Sequence, residues 1–373
     1  SYEGSISINN CLTKMLQNIE NVDTPFLWVD LDRMEENIAR LSAYFKERNL
    51  NWRPHTKGIK IPEISKMALE AGASGITCAK LSEAEIMAAS GIKDILIANQ
   101  VVGTSKIERL CKLAEKINII VAVDNSGIAV QMAKAAKQNN VSIGVLVEVN
   151  VGMDRAGVEP GLKTLDCCKK VIGLEGLNFE GLMAWEGHAA GITNPVQKKE
   201  TIKQSLNSLI ETVKLIEQEK IQLNIISGAG SATYQISTDF NIYTEIQAGG
   251  AIFTDQAYKS WGVPTQPSLF VRSSITSRPA AKRIITDAGF KSLPGWIAKP
   301  LPLNLNELED VSMSSEYGIL KLKDENTTLM VGDKIDYQVG YGDATVFLHD
   351  TIYGLRNQKL KNVWEIRGRG KTT

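Results

Sequence analysis

The chain has 373 residues, with 42 lysines and arginines balanced by 42 aspartates and glutamates. That length points to two domains, or to one large barrel with an appendage, and it can bury a substantial core without staples. The charge balance excludes a nucleic-acid or polyanion binder, whose affinity would rest on a basic surface, but it allows a single phosphate held in a pocket.

The five cysteines, Cys11, Cys78, Cys111, Cys167 and Cys168, are odd in number and form no C-x-x-C or Cys/His cluster with zinc-ligand spacing. A reduced, cytoplasmic compartment is the simpler reading. SYEGSISINN at the start lacks the charged lead and apolar run of a signal peptide, and no stretch approaches the roughly 18 apolar residues of a membrane span, so a soluble protein is expected.

In chain order, eight short apolar runs read as strands: NWRPH (51–55), GITCA (75–79), DILIAN (94–99), INIIVAVD (117–124), VSIGVLVEV (141–149), LNFEGLMAW (177–185), QLNIISG (222–228) and YTEIQAGG (243–250). Helical patterns separate them, among them PEISKMALEAG, SEAEIMAAS, SKIERLCKLAEK and KKETIKQSLNSLIETVKLIEQEK. Ser82 with Glu85 and Ser105 with Glu108 read as capping boxes opening two of these helices. Near-continuous apolar strands alternating with helices imply a parallel sheet buried on both faces, and eight units predict a closed (β/α)8 TIM-type barrel over 26–262. An open doubly wound sheet is the alternative. After Pro264 the texture changes to short strands with Gly, Asn and Asp turns, as in SLFVRSSITSRP, TLMVGDKIDYQVG and KLKNVWEIRGRG. This predicts a smaller all-β domain from 263–373, on which residues 1–25 pack.

In such a barrel the chemistry gathers at the carboxyl ends of the strands. After the first strand come Arg53, Pro54, His55, Thr56 and Lys57; after the fifth, Asn150 and the loop carrying Arg155; after the sixth, Trp185, Glu186, Gly187 and His188. The seventh ends in Ser227, Gly228, Ala229, Gly230 and Ser231, and the eighth in Gly249 and Gly250. Two glycine-rich turns on the last two strands suit a phosphate, because glycine lets backbone amides approach it closely. Each alone is equally an ordinary strand-to-helix turn, and neither is a Walker loop or a GxGxxG fingerprint. A lysine amine forms Schiff bases with aldehydes, and burial lowers its pKa so that it can do so near neutral pH. Position alone leaves Lys57 open between that role and a solvated lysine. Lys60 reads as a solvated lysine, and His55 reads equally as a satisfied histidine at a strand end.

The strings TPFLWVDLDRMEENI (24–38), RPHTK (53–57), EVNVGMDRAGVEPG (148–161), WEGH (185–188), SGAGSATY (227–234), EIQAGGAIFTDQAY (245–258), ITDAGFKSL (285–293) and VWEIRGRG (363–370) run in order through almost the whole chain. Together they resemble the D-threonine aldolase and D-serine dehydratase family, fold-type III pyridoxal-phosphate enzymes related to alanine racemase. The resemblance implies an alanine-racemase-like barrel with a β domain, and homodimers whose active site lies between one barrel and the partner's β domain. It makes Lys57 the Schiff-base lysine that also moves the α-proton, and His55 a positioning group near the cofactor ring. It puts Arg155 on the cofactor side, either pairing with the pyridine nitrogen or orienting a neighbour. Ser227, Gly228, Gly230, Ser231, Gly249 and Gly250 become the cofactor's phosphate cup. Trp185 stands where relatives commonly carry tyrosine, and Tyr258 joins the cofactor-binding set.

One departure bears on mechanism. Relatives acting on β-hydroxy amino acids hold a divalent metal through a histidine and, two residues on, an aspartate or cysteine. In VGYGDATV (339–346) Tyr341 takes the histidine position and Asp343 keeps the second. Tyr317 in SSEYG likewise stands where relatives often show histidine, and His349 lies six residues past Asp343. A neutral phenol is a poorer ligand than imidazole, so a complete metal site is not expected, with Asp343 its single weak candidate. Tyr341 is then expected to serve as acid or base, its pKa lowered beside cofactor charge, or to pack at a domain contact.

The resemblance therefore implies a pyridoxal 5'-phosphate lyase that cleaves a D-β-hydroxy amino acid to glycine and an aldehyde, the β-hydroxyl proton going to Tyr341, Asp343 or His188. Dehydration with deamination, racemisation by Lys57 and Tyr341, and a non-catalytic cofactor carrier are the alternatives.

Overall fold

The computed structural model describes residues 18–373. The chain divides into two compact units, one of residues 38–251, 260–263 and 370–373, the other of residues up to Asn37 with 252–259 and 264–369.

The first unit is built on eight parallel strands: β2 (Asn51–Trp52), β3 (Ile76–Cys78), β4 (Asp94–Gln100), β5 (Asn118–Val123), β6 (Ile143–Val149), β7 (Leu177–Ala184), β8 (Ile225–Gly228) and β9 (Glu245–Ile246). Each of the eight sits inside its expected run to within a residue. Their order, β2-β9-β8-β7-β6-β5-β4-β3, leaves β2 and β3 at the ends of the strip. Ser74 N donates to Trp52 O (2.8 Å), Thr77 N to Pro54 O (3.0 Å) and Thr56 N to Thr77 O (2.8 Å), which close it into a barrel. Leu96, Ile120, Ala122, Leu146 and Met183 fill the interior from four adjacent strands. Outside, the helix Pro195–Gln218 buries Lys198, Ile202, Leu206, Leu209, Val213 and Ile216 at helical spacing. Its Asn194 cap accepts from Gln197 N (3.0 Å), ahead of Pro195 in the first turn.

The two expected capping boxes do not form. Those helices run Leu81–Ala89 and Thr104–Ala114, so their caps fall on Lys80 and Gly103, and Ser82 and Ser105 lie inside the first turn. Ser82 Oγ instead accepts from Thr373 N (3.0 Å).

The second unit is a mainly antiparallel sheet. Its long strand β10 (Leu269–Ala280) pairs with β11 (Arg283–Thr286) and with β15 (Lys334–Gln338). The expected barrel start at residue 26 needs correcting. β1 (Phe26–Asp30) pairs antiparallel with β10 and parallel with β16 (Thr351–Arg356), so it belongs to this sheet. Trp28 stacks on Phe270 at 4.5 Å and donates Nε1–H to Asp336 (2.9 Å), whose carboxylate also takes both arms of Arg272 at 3.0 Å. Of the first 25 residues, 1–17, with Cys11, lie outside the described residues; Ile19 and Val22 pack with Phe26, Phe270 and Leu355. Among the described residues no helix is long and apolar enough to cross a membrane.

Candidate active site

Past β2 the chain is tied to both neighbours, since His55 N donates to Gln247 O (3.1 Å) and Thr56 N to Thr77 O. His55 also lies against the eighth-strand turn: a Cβ on Gly249 would sit 2.0 Å from His55 O, so only glycine fits there. The His55 ring accepts the Lys57 backbone N–H at Nδ1 (3.2 Å). Burial, then the positive charges of Lys57, Lys60 and Arg155, push its pKa well below the usual histidine value. A neutral ring suits that acceptor role. Lys57 itself is exposed.

Lys60 needs the opposite correction. Its side chain is 11% exposed and its Nζ lies 3.6 Å from Oε2 of Glu83, which is wholly buried. Glu83 also accepts from the Thr56 hydroxyl and from Ala79 N (3.2 Å). The ion pair thus anchors both ends of the turn that presents Lys57.

The two glycine turns are joined, because Ala251 N donates to Ser231 Oγ at 2.8 Å. Ser227 Oγ accepts from the Gln247 side chain (2.9 Å), which binds the strand ends beneath them. A Cβ on Gly228 would meet Ala184 O at 2.2 Å, and one on Gly230 would meet the Trp185 ring at 2.5 Å. Trp185 therefore covers the seventh-strand turn. Among the described residues the amides of Ser231, Ala232, Gly249 and Gly250 enter no backbone hydrogen bond of the turns and loops, and amides left over in such turns make an N–H cradle that suits an anion.

On the Arg155 side, Glu148 at the end of β6 is buried and takes an amide hydrogen bond from Gln100. Burial raises its pKa, while Gln100 and Arg155 pull it down. Asp124 accepts from Gly157 N (3.0 Å) and so holds the far end of the loop.

Sequence reading placed Glu186 at the end of the sixth strand but gave it no role. It is wholly buried and accepts from Thr233 Oγ1 (2.8 Å), Ser237 Oγ (2.6 Å) and Tyr243 OH (2.6 Å). Burial first, then Glu186, pushes the Tyr243 phenol well above its ordinary pKa. Thr233 and Ser237 are four residues apart on one helical face, but nothing local shows that they meet a carboxylate some fifty residues earlier. His188 is exposed, its Nε2 lies 3.1 Å from Ser205 Oγ, and it packs on Gly152 in the Arg155 loop.

In the second unit, Asp343 accepts from Tyr341 OH at Oδ2 (3.2 Å) and from Tyr258 OH at Oδ1 (3.3 Å). The Tyr341 ring lies between those of Tyr258 (6.0 Å) and Trp296 (5.8 Å). Burial, then Asp343, raises the Tyr341 pKa, and the same two causes raise that of Tyr258. The lowering expected for Tyr341 rests on cofactor charge; within the chain itself the nearest charge is that of Asp343, which opposes ionisation. Asp255, also unanticipated, is buried and accepts from Tyr258 N (2.9 Å) and Gly342 N. Burial raises its pKa to about 7. Tyr317 is exposed, and His349 Nε2 lies 2.7 Å from Ser292 O.

Comparison with known proteins agrees with this architecture. Residues 29–257 match the family model "Alanine racemase, N-terminal domain", and 268–355 match "Putative serine dehydratase domain". The chain is 33% identical over 356 residues to a D-threonine aldolase of Arthrobacter sp, covering 94% of each. It is 29% identical over 365 residues to a 3-hydroxy-D-aspartate aldolase of Paracoccus denitrificans, covering 94% of this chain and 93% of the other. The solved D-threonine aldolase of Filomicrobium marinum superposes with a TM-score of 0.92 at 30% identity, over 95% of this chain and 98% of that one.

Proposed function

The chain belongs to the fold-type III pyridoxal-phosphate family that joins an alanine-racemase N-terminal domain to a serine-dehydratase domain, and on that premise we propose that it is a lyase cleaving a D-β-hydroxy amino acid to glycine and an aldehyde. The contact between Gly249 and the His55 backbone carries the reading, because it sets the Lys57 turn and the N–H cradle at one end of the barrel.

Pyridoxal 5'-phosphate fits the residues present. The amides of Ser231, Ala232, Gly249 and Gly250 suit its phosphate, Lys57 its aldehyde, and His55, Arg155 and Trp185 the ring. When bound, it supplies an electron-accepting ring that takes up the pair released at the substrate's Cα. Lys57 returns a proton to Cα after the Cα–Cβ bond breaks. We assign the β-hydroxyl proton to Asp343, with Tyr341 keeping its own proton in the hydrogen bond to Oδ2. His188 is the alternative acceptor. The racemase reading needs Tyr341 as a base, and its raised pKa counts against that.

The residues do not fit a divalent metal. Both Asp343 oxygens accept phenol protons, and the neutral phenol of Tyr341 beside it is a poorer ligand than imidazole. We therefore propose a metal-independent lyase, working as a cytoplasmic homodimer with shared active sites.

The test is aldehyde production from D-threonine or D-3-phenylserine with added pyridoxal 5'-phosphate, with and without a chelator. Aldehyde and glycine in equal amounts, undiminished by the chelator, are expected. A 2-oxoacid with ammonia would make it a dehydratase, and loss of activity on chelation would overturn the metal-free reading.

A further inference from the structure

We propose that Glu186 is a positioning residue for phosphate binding, acting through a relay of hydroxyls to the seventh-strand turn; this rests on the cofactor reading above. Glu186 is wholly buried, next to the Trp185 ring that covers Gly230. Thr233, Ser237 and Tyr243 all turn their hydroxyl protons toward its side-chain oxygens. That fixes the Thr233 hydroxyl: its proton goes to Glu186 Oε1 (2.8 Å), and its lone pair accepts the Gly230 N–H (3.2 Å). Thr233 and Tyr234 in turn send their own amides to Gly230 O (3.1 and 3.0 Å).

Gly230 is thus held at both its N–H and its carbonyl. Its amide is consumed by the relay, so it leaves the predicted cup and becomes a strut. The next two amides, Ser231 and Ala232, are the ones that no turn or loop backbone bond takes up. The carboxylate therefore works through orientation: it decides which way Thr233 points, Thr233 decides where the turn sits, and the turn presents the amides to the anion. A Thr233 hydroxyl free to rotate could point its proton at Gly230 N–H, leaving two donors opposed and the turn displaced.

On the cofactor reading the relay would support only the turn assigned to the phosphate, which gives the experiment its discrimination. Pyridoxal 5'-phosphate and pyridoxal carry the same aldehyde for Lys57, and pyridoxal lacks the phosphate. Binding of each is titrated by absorbance to wild type, Glu186→Ala, Glu186→Gln and Thr233→Val. Glu186→Ala and Thr233→Val should each weaken pyridoxal 5'-phosphate by at least about tenfold while leaving pyridoxal within about twofold. The double variant should lose no more than the worse single variant, because both break one relay. Glu186→Gln should retain the selectivity: its carbonyl oxygen still accepts from Thr233 and Ser237, and its amide can donate to Tyr243, which can turn its own proton to Ala184 O (3.4 Å).

Equal losses for both compounds, or no loss in Thr233→Val, overturn the relay while the cofactor reading stands. Should Glu186→Ala fail to fold, Thr233→Val alone decides. A wild type that does not prefer the phosphorylated compound overturns the cup and the relay together.

Discussion

Lys57 and Lys60 are three residues apart, and their surroundings separate them completely. The ammonium of Lys60 is held 3.6 Å from a buried carboxylate, whereas Lys57 is exposed at the strand end. Borohydride reduction of the cofactor-loaded protein should therefore label the peptide at Lys57 and not at Lys60. Lys57→Ala should abolish the label and lower aldehyde production by about 10²–10⁴-fold or more, from the lost proton transfer alone. Removing Lys60 predicts a different phenotype. Lys60→Met leaves Glu83 buried without its cation, so unfolding by urea should be easier by about 3–5 kcal/mol, with Lys57 still reactive in the folded fraction. A label on Lys60, or a neutral Lys60→Met, would mean that this division of roles is wrong. Lys57 could be found from its place after an apolar strand and from the RPHTK string. The burial of Lys60 could not, because its partner lies on a helix whose sequence suggested Glu85 as the capping carboxylate while the fold uses Glu83.

The strands carried most of what the sequence revealed, since each barrel strand is a local apolar run with turn residues at its end. β1 shows where local reading stops. FLWVD is as strand-like as any barrel strand, and only its partners in β10 and β16, more than two hundred residues away, assign it to the other sheet. The glycine turns lie between these cases: their composition suggested a cup, but which glycine is required, and why, depends on what packs against it. Gly249 faces the His55 backbone at a distance no Cβ tolerates. Gly249→Ala should push the Lys57 turn away from the cradle, cost about 1–3 kcal/mol in urea unfolding, and weaken pyridoxal and pyridoxal 5'-phosphate alike. That pattern differs from the phosphate-selective loss expected of Thr233→Val. Binding of both compounds unchanged in Gly249→Ala would show that the contact does not set the turn.

For the molecule as a whole, the least legible property was how stability depends on pH, because it depends on buried carboxyls and not on a formal charge of zero. Asp255 is the clearest case. It is 1% exposed, and burial, with Asp343 adding to it, raises its pKa to about 7 despite the amides of Tyr258 and Gly342. The folded state thus keeps a proton that the unfolded chain gives up near pH 4. The stability contributed by this group is fully present below that unfolded value, declines as pH rises, and is lost once pH passes about 7. The span corresponds to about 4 kcal/mol. Other carboxyls work in the opposite sense, so the measurement is the difference between wild type and Asp255→Asn, whose side chain stays neutral throughout. In urea unfolding followed from pH 4 to pH 8, wild type should lose ground steadily against Asp255→Asn up to about pH 7 and then run parallel to it. Asn also turns one N–H toward Tyr258 N or Gly342 N, which shifts the variant's curve down by a constant without changing that slope. A difference that stays flat from pH 4 to pH 7 would mean that Asp255 ionises like an exposed carboxyl, and that the turn carrying Tyr341 and Asp343 rests on a charged anchor.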